Sequence, residues 1–247
     1  MKIFKYIVIF LLLIAAAGTV TFFVLDKPLP EGEQGPRAEA LADRMLEAIN
    51  DSAWQATGVV SWNYQDIHDF VWDKDRSFVK VSWEQYDVFV NLSTKQGKAY
   101  AKSKLVKDSS ATVEFVTKAY NFWANDSFWL NPISKIRDRG TKRSLINLDQ
   151  PNKTGLLVTY QSGGVTPGDS YLYVVDEENY RPEAIKMWVS IIPIGGIEFS
   201  WEEYVKTETG AIISVYHDGP IGVKINGLKT YSDITAFEEG DIFEVLN

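Results

Sequence analysis

Cysteine is absent from the 247 residues. That excludes disulfide staples, thiolate metal sites, thiol nucleophiles and a lipidated N-terminal Cys. Histidine is nearly absent: His68 and His217 are the only two, too few for a His-based metal cluster. Basic residues also fall short. Lys plus Arg number 25 against 33 for Asp plus Glu, a formal charge of −8. A nucleic-acid binder needs a basic stripe to meet phosphates, so that partner class is set aside. No motif calls for a cofactor. Ser162 to Ser170 carries glycines, but no Lys follows as a phosphate-binding loop requires, and Pro167-Gly168 between two strands is first of all a turn.

What the chain does have is a globular balance, 45% apolar and 23% charged. Its aromatic load is high, with 8 Trp, 12 Tyr and 13 Phe, which suits strands and apolar pockets. Lys2 and Lys5 precede an uncharged run from Tyr6 to Leu25. As a helix it would be about 30 Å long, the thickness of a bilayer's hydrocarbon core. The run reads as a signal anchor over residues 1–25. Ala15, Ala16 and Ala17 also fit a signal-peptidase site, and cleavage there is the alternative. Either way the rest of the chain is exported, membrane-anchored or free in a periplasm.

Residues 26–36, with three prolines and two glycines, read as a linker. From Arg37 to Asn50 the apolar residues Ala38, Leu41, Met45, Ala48 and Ile49 step by three and four, which predicts an amphipathic helix. The period then changes to two. Val60, Trp62 and Tyr64 share a face, as do Val79, Val81 and Trp83, and then Tyr86, Val88 and Val90. Gln96-Gly97 reads as a turn before a short strand at 99–101. Residues 109–124 return to helical spacing, capped by Ser109 or Ser110, with a break expected between Asn125 and Pro132. Strands resume from Ser144 and include 184–192, 197–203 and 211–216. The expected fold is α+β: one domain over 37–247, a large curved antiparallel half-barrel sheet of about ten or eleven strands, and two or three helices covering its concave face.

Chemistry-bearing groups are sparse. His68 lies among Asp66, Asp69 and Asp73, and a hydrogen-bonded histidine is the expected reading. His217 is expected in a loop. A hydrolase using Asp169, His68 and nearby carboxylates is a rival reading. Glu198, Glu202 and Glu203 read as exposed strand and turn charge.

The order of elements resembles the LolA/LolB-like lipoprotein carriers. The segments that carry the likeness are Ala38 to Ile49, Gly58 to Tyr64, Arg76 to Trp83, Gln96 to Tyr100 and Asn179 to Met187. The resemblance implies a half-barrel closed by helices around an apolar cavity that accepts acyl chains. On it rests the expectation of a non-enzymatic protein that binds lipid or lipoprotein acyl chains, with Trp62, Tyr64, Val81, Trp83, Val88 and Trp188 as candidate lining. The chain departs from those carriers in length, in lacking Cys and in its N-terminal run. An envelope sensor or partner-binding module on the same fold is the alternative.

Overall fold

The computed structural model describes residues 25–162 and 166–246. The membrane-anchor reading therefore falls, but for Leu25, outside the described residues, as do Gly163, Gly164 and Val165. No described helix is long and apolar enough to cross a membrane.

Residues Pro36–Ala48 form α1, with Pro36 in the first turn, where its missing N–H is not needed. Ala38, Leu41, Ala42 and Met45 make its buried face. Asn50, in the left-handed region at φ 51°, redirects the chain into a short second helix, α2, at Asp51–Ala56. Five hairpin-connected strands follow: β1 Val59–Tyr64, β2 His68–Asp73, β3 Phe78–Trp83, β4 Tyr86–Asn91 and β5 Gln96–Ala101. The two-residue β6 follows at Lys104–Leu105. Helix α3, Ser109–Leu130, is capped by Asp108, whose carboxylate accepts from the Ala111 N–H at 2.8 Å. Then come β7 Thr141–Asn147, β8 Lys153–Tyr160, β9 Ser170–Asp176, β10 Pro182–Trp188, β11 Ile197–Ser200, β12 Glu202–Lys206, β13 Ile212–His217 and β14 Val223–Tyr231.

The strands make two antiparallel sheets. One has nine strands, in the order β12-β13-β14-β1-β2-β3-β4-β5-β6; the other has five, β11-β10-β9-β8-β7. Residues 197–206 join them. Ile197–Ser200 pairs with β10, Trp201 is buried at the break, and Glu202–Lys206 pairs with β13. One continuous apolar core runs along the inner faces of both sheets, under α1 and α3. The fold is α+β with large antiparallel sheets, as the sequence implies.

Several boundaries differ from the expectation. Fourteen strands are described rather than ten or eleven: β2, the short β6 and β14 are added, and 197–203 is divided between β11 and β12; β14 gave no clean period. A register shift against β1 between Ser61 and Asn63, with Gly227 at φ +57°, breaks its alternation. Gln96 and Gly97 are strand, not turn. A Cβ on Gly97 would stand 2.0 Å from the Phe89 carbonyl oxygen and 3.1 Å from Val116 of α3, so this glycine permits close approach of the β4 backbone, with α3 packed tightly above it. Helix α3 does not stop near Asn125 but continues to Leu130. The strand expected over 184–192 ends at Trp188, and the residues after it form a loop. His217 is fully buried at a strand end rather than in a loop.

Candidate functional site

Strand register decides which side chains meet. Trp62 faces Phe70 and Tyr64 faces His68 across β1 and β2. Phe70 faces Val81, Val81 faces Val88, and Trp83 faces Tyr86 across β2, β3 and β4. Side chains alternate along a strand, so Trp62, Tyr64, Val81, Trp83 and Val88 share the inner face of the nine-stranded sheet, and all five are buried. The sixth candidate, Trp188, is not with them. It packs with Ile146, Leu157 and Leu172 on the outer face of the five-stranded sheet, and its Nε1–H donates to the Lys27 carbonyl at 2.7 Å. The reason is parity: Met187, one residue earlier, takes the inward position.

Helix α3 covers the five inner residues with a second row of aromatics. Phe122 lies 5.4 Å from the Trp83 ring, edge to face, and stacks on His68 at 3.9 Å. Trp123 meets Trp72 at 5.3 Å, and Phe115 meets Tyr86 at 4.6 Å. Trp62 stacks on Phe70 at 4.5 Å. The inner face is therefore occupied by its own side chains and by α3. Two surface clefts, of about 490 and 460 Å³, lie elsewhere. The first is rimmed by Arg44, Glu47 and Tyr180, the second by Glu39, Lys142 and Arg143; both are polar and neither touches the five residues. The open apolar hollow expected from the resemblance is thus closed in this structure.

At the β1–β2 end of the seam sits one buried polar pair. His68 Nδ1 and Asp126 Oδ2 are 2.7 Å apart, and the second carboxylate oxygen of Asp126 accepts from the Asn125 amide at 2.8 Å. The acidic partner of His68 is therefore on α3, not Asp66, Asp69 or Asp73 of its own hairpin. Burial, with the nearby Asp126 carboxylate, pushes the Tyr64 phenol up to about 12, so it stays neutral. Other buried donors, most of them in the seam, lack acceptors. Among the described residues the buried Nε1–H groups of Trp62, Trp72 and Trp123, the Ser127 hydroxyl, the Asn131 amide nitrogen and the Tyr173 hydroxyl have no protein partner. Sequence reasoning placed most of the sheet wall but named no α3 residue as lining, neither Phe122 nor Trp123, Asp126 or Ser127.

The hydrolase constellation does not assemble. Asp169 accepts from the Ser190 N–H at 2.9 Å and contacts the Tyr171 hydroxyl at 3.4 Å, whereas His68 is committed to Asp126. Among the described residues no three His, Asp or Glu side chains are grouped to hold a metal ion. His217 is a second buried histidine. Its Nε2–H donates to the Trp129 carbonyl at 3.0 Å, and its ring stacks on Trp201 at 3.6 Å. Burial lowers its pKa to about 4, so it is neutral at pH 7.

No protein-family model matches the chain, and no curated protein does. Solved structures similar to it include a DUF1329 family protein from Desulfovibrio piger. That match has 14% identity and a TM-score of 0.41, and covers 82% of this chain and 98% of that one. A LolA superfamily protein from Nitrosomonas europaea matches at 9% identity and a TM-score of 0.38, over 80% and 98% of the two chains. A putative outer membrane lipoprotein-sorting protein domain from Vibrio parahaemolyticus matches at 9% identity and a TM-score of 0.32, over 80% and 95%. A LolA superfamily protein is thus among the structures this chain is similar to, and function is argued below from this chain's own side chains.

Proposed function

We propose that this is a non-enzymatic protein of the cell envelope that binds an acyl chain between α3 and the inner face of β1–β4. The observation that carries this reading is the set of unmatched donors in the seam. A buried donor without an acceptor costs about 1–3 kcal/mol. A permanent core built of Leu and Phe would carry no such cost; this one places three indole N–H groups and a hydroxyl among apolar neighbours. An acyl ester or amide matches both features. Its methylenes gain about 0.8 kcal/mol each on burial, and its carbonyl oxygens accept hydrogen bonds.

Entry requires α3 to lift from the sheet. The aromatic contacts across the seam would exchange for contacts with the chain, and the His68–Asp126 pair is the polar latch to be broken or rearranged. Titrating the protein with a single-chain phospholipid below its micelle concentration, followed by intrinsic tryptophan emission, tests the reading. Saturable change that is lost in a Trp62→Ala, Trp83→Ala variant supports it. An unchanged spectrum, or a change that never saturates, counts against it.

A further inference from the structure

The loop between β10 and β11 has no place in the acyl-binding reading, yet it is uncharged and holds exposed apolar residues. From Met187 to Ile197 there is no charged residue in a chain of net charge −8. Ile191 is 74% exposed, more than any other large hydrophobic side chain described. Pro193 is exposed beside it. This loop is fastened to the first residues that follow the uncharged run Tyr6–Leu25. The Lys27 N–H donates to the Gly195 carbonyl at 3.0 Å, and the Gly195 N–H donates to the Asp26 carboxylate at 2.7 Å. Trp188 adds its bond to the Lys27 carbonyl. A Cβ at Gly195 would lie 2.8 Å from that same carbonyl oxygen and 2.5 Å from the Trp188 ring, so the glycine is what allows so close a contact. Leu25, the last residue of the run, is itself 52% exposed.

We propose that the tip of this loop, Ile191 to Ile194, inserts into the interface of the bilayer that holds residues 6–25, and so fixes how the body sits on the membrane. Three features select a lipid surface as the occupant. The loop is bonded to residues one and two positions beyond the uncharged run, so it cannot stand far from wherever that run leaves the bilayer. It lacks the acidic groups that an anionic surface would repel, although the chain as a whole is acidic. It also presents the exposed Ile191 and Pro193 at its tip, apolar side chains that an interface accepts. The inference rests on the run being membrane-inserted and not on acyl binding by the seam.

The absence of cysteine makes the test clean. Two full-length variants, Ile191→Cys and Val113→Cys, carry an environment-sensitive fluorophore at their single thiol. Val113 is 66% exposed on α3, far in sequence from the loop. Both are reconstituted in vesicles of phosphatidylethanolamine and phosphatidylglycerol. The expected result is a blue-shifted emission at position 191, quenched by spin-labelled lipid and protected several-fold from iodide, with position 113 remaining aqueous. If the chain is retained on the vesicles and both positions are equally open to iodide, the loop faces water or a protein partner and the proposal is overturned. If the full chain is not retained on vesicles at all, the proposal falls together with the anchor reading, while the tryptophan titration of the seam still decides acyl binding separately.

Discussion

His68 and Asp126 lie 58 positions apart in sequence, yet their side chains meet at 2.7 Å inside the seam between β2 and α3. Residue spacing along the β1–β2 hairpin offers His68 three nearer carboxylates, and the fold uses none of them. Among the described residues the pair is one of two buried polar contacts between α3 and the nine-stranded sheet, the other being His217 with the Trp129 carbonyl. Asp126→Ala leaves a buried imidazole N–H without its acceptor and should cost about 1–3 kcal/mol. Urea denaturation of the two proteins measures it. The same variant should bind single-chain phospholipid at least as tightly per folded molecule, because the latch opposing α3 movement is gone.

The unmatched indoles make a prediction of the opposite sign. Trp123→Phe removes a buried donor that has no acceptor and keeps most of the ring contact with Trp72. Its stability should stay within about 1 kcal/mol of the parent or rise. Phe70→Ala, at a site only 2% exposed with no polar atom to lose, should cost about 3–5 kcal/mol. Equal losses for both would show that the indole N–H is satisfied in solution.

Much of the sheet wall can be read directly from the chain. Period two along β1, β3 and β4 puts Trp62, Tyr64, Val81, Trp83 and Val88 on one face because alternate side chains must share a side. What pairs with that wall is not legible. Asp126 and Ser127 sit in a stretch, Asn125 to Pro132, whose composition argues for a break; the helix runs on to Leu130, and Asn125 and His68 both bond the Asp126 carboxylate. Trp188 was misplaced for a simple reason. A buried strand has apolar residues on both faces, so composition gives no parity, and only pairing partners show that Met187 points inward. Gly97 shows the same limit, since Gln-Gly looks like a turn until the Phe89 carbonyl of the paired strand β4 reveals why a side chain is excluded.

Gly97→Ala should be destabilising even though alanine suits a strand better than glycine. The added methyl meets the Phe89 carbonyl and Val116, and such overpacking costs about 1–3 kcal/mol. Because the clash lies under α3, the tryptophan emission of the variant should also shift toward that of a more solvated seam.

His217 gives the protein a defined acid sensitivity. Its pKa is about 4 in the folded protein and about 6.5 in an unfolded chain. Between those values the unfolded state binds the extra proton, so stability is full above pH 6.5 and falls as pH drops toward 4. The total loss from this one group is about 3 kcal/mol. His217→Gln retains a donor for the Trp129 carbonyl and does not titrate. Its stability should therefore depend less on pH over that window, measured by urea midpoints at several pH values.

The central claim is that an acyl chain enters between α3 and the sheet. A phospholipid whose acyl chain ends in a photoactivatable diazirine, irradiated with the full-length protein in vesicles and mapped by peptide mass spectrometry, tests it most directly. The account predicts adducts on residues 59–91 and 109–130, competed away by unlabelled single-chain phospholipid and reduced in Trp62→Ala, Trp83→Ala protein. Adducts confined to residues 1–25 and the surface loops, with none on the inner wall, would contradict it.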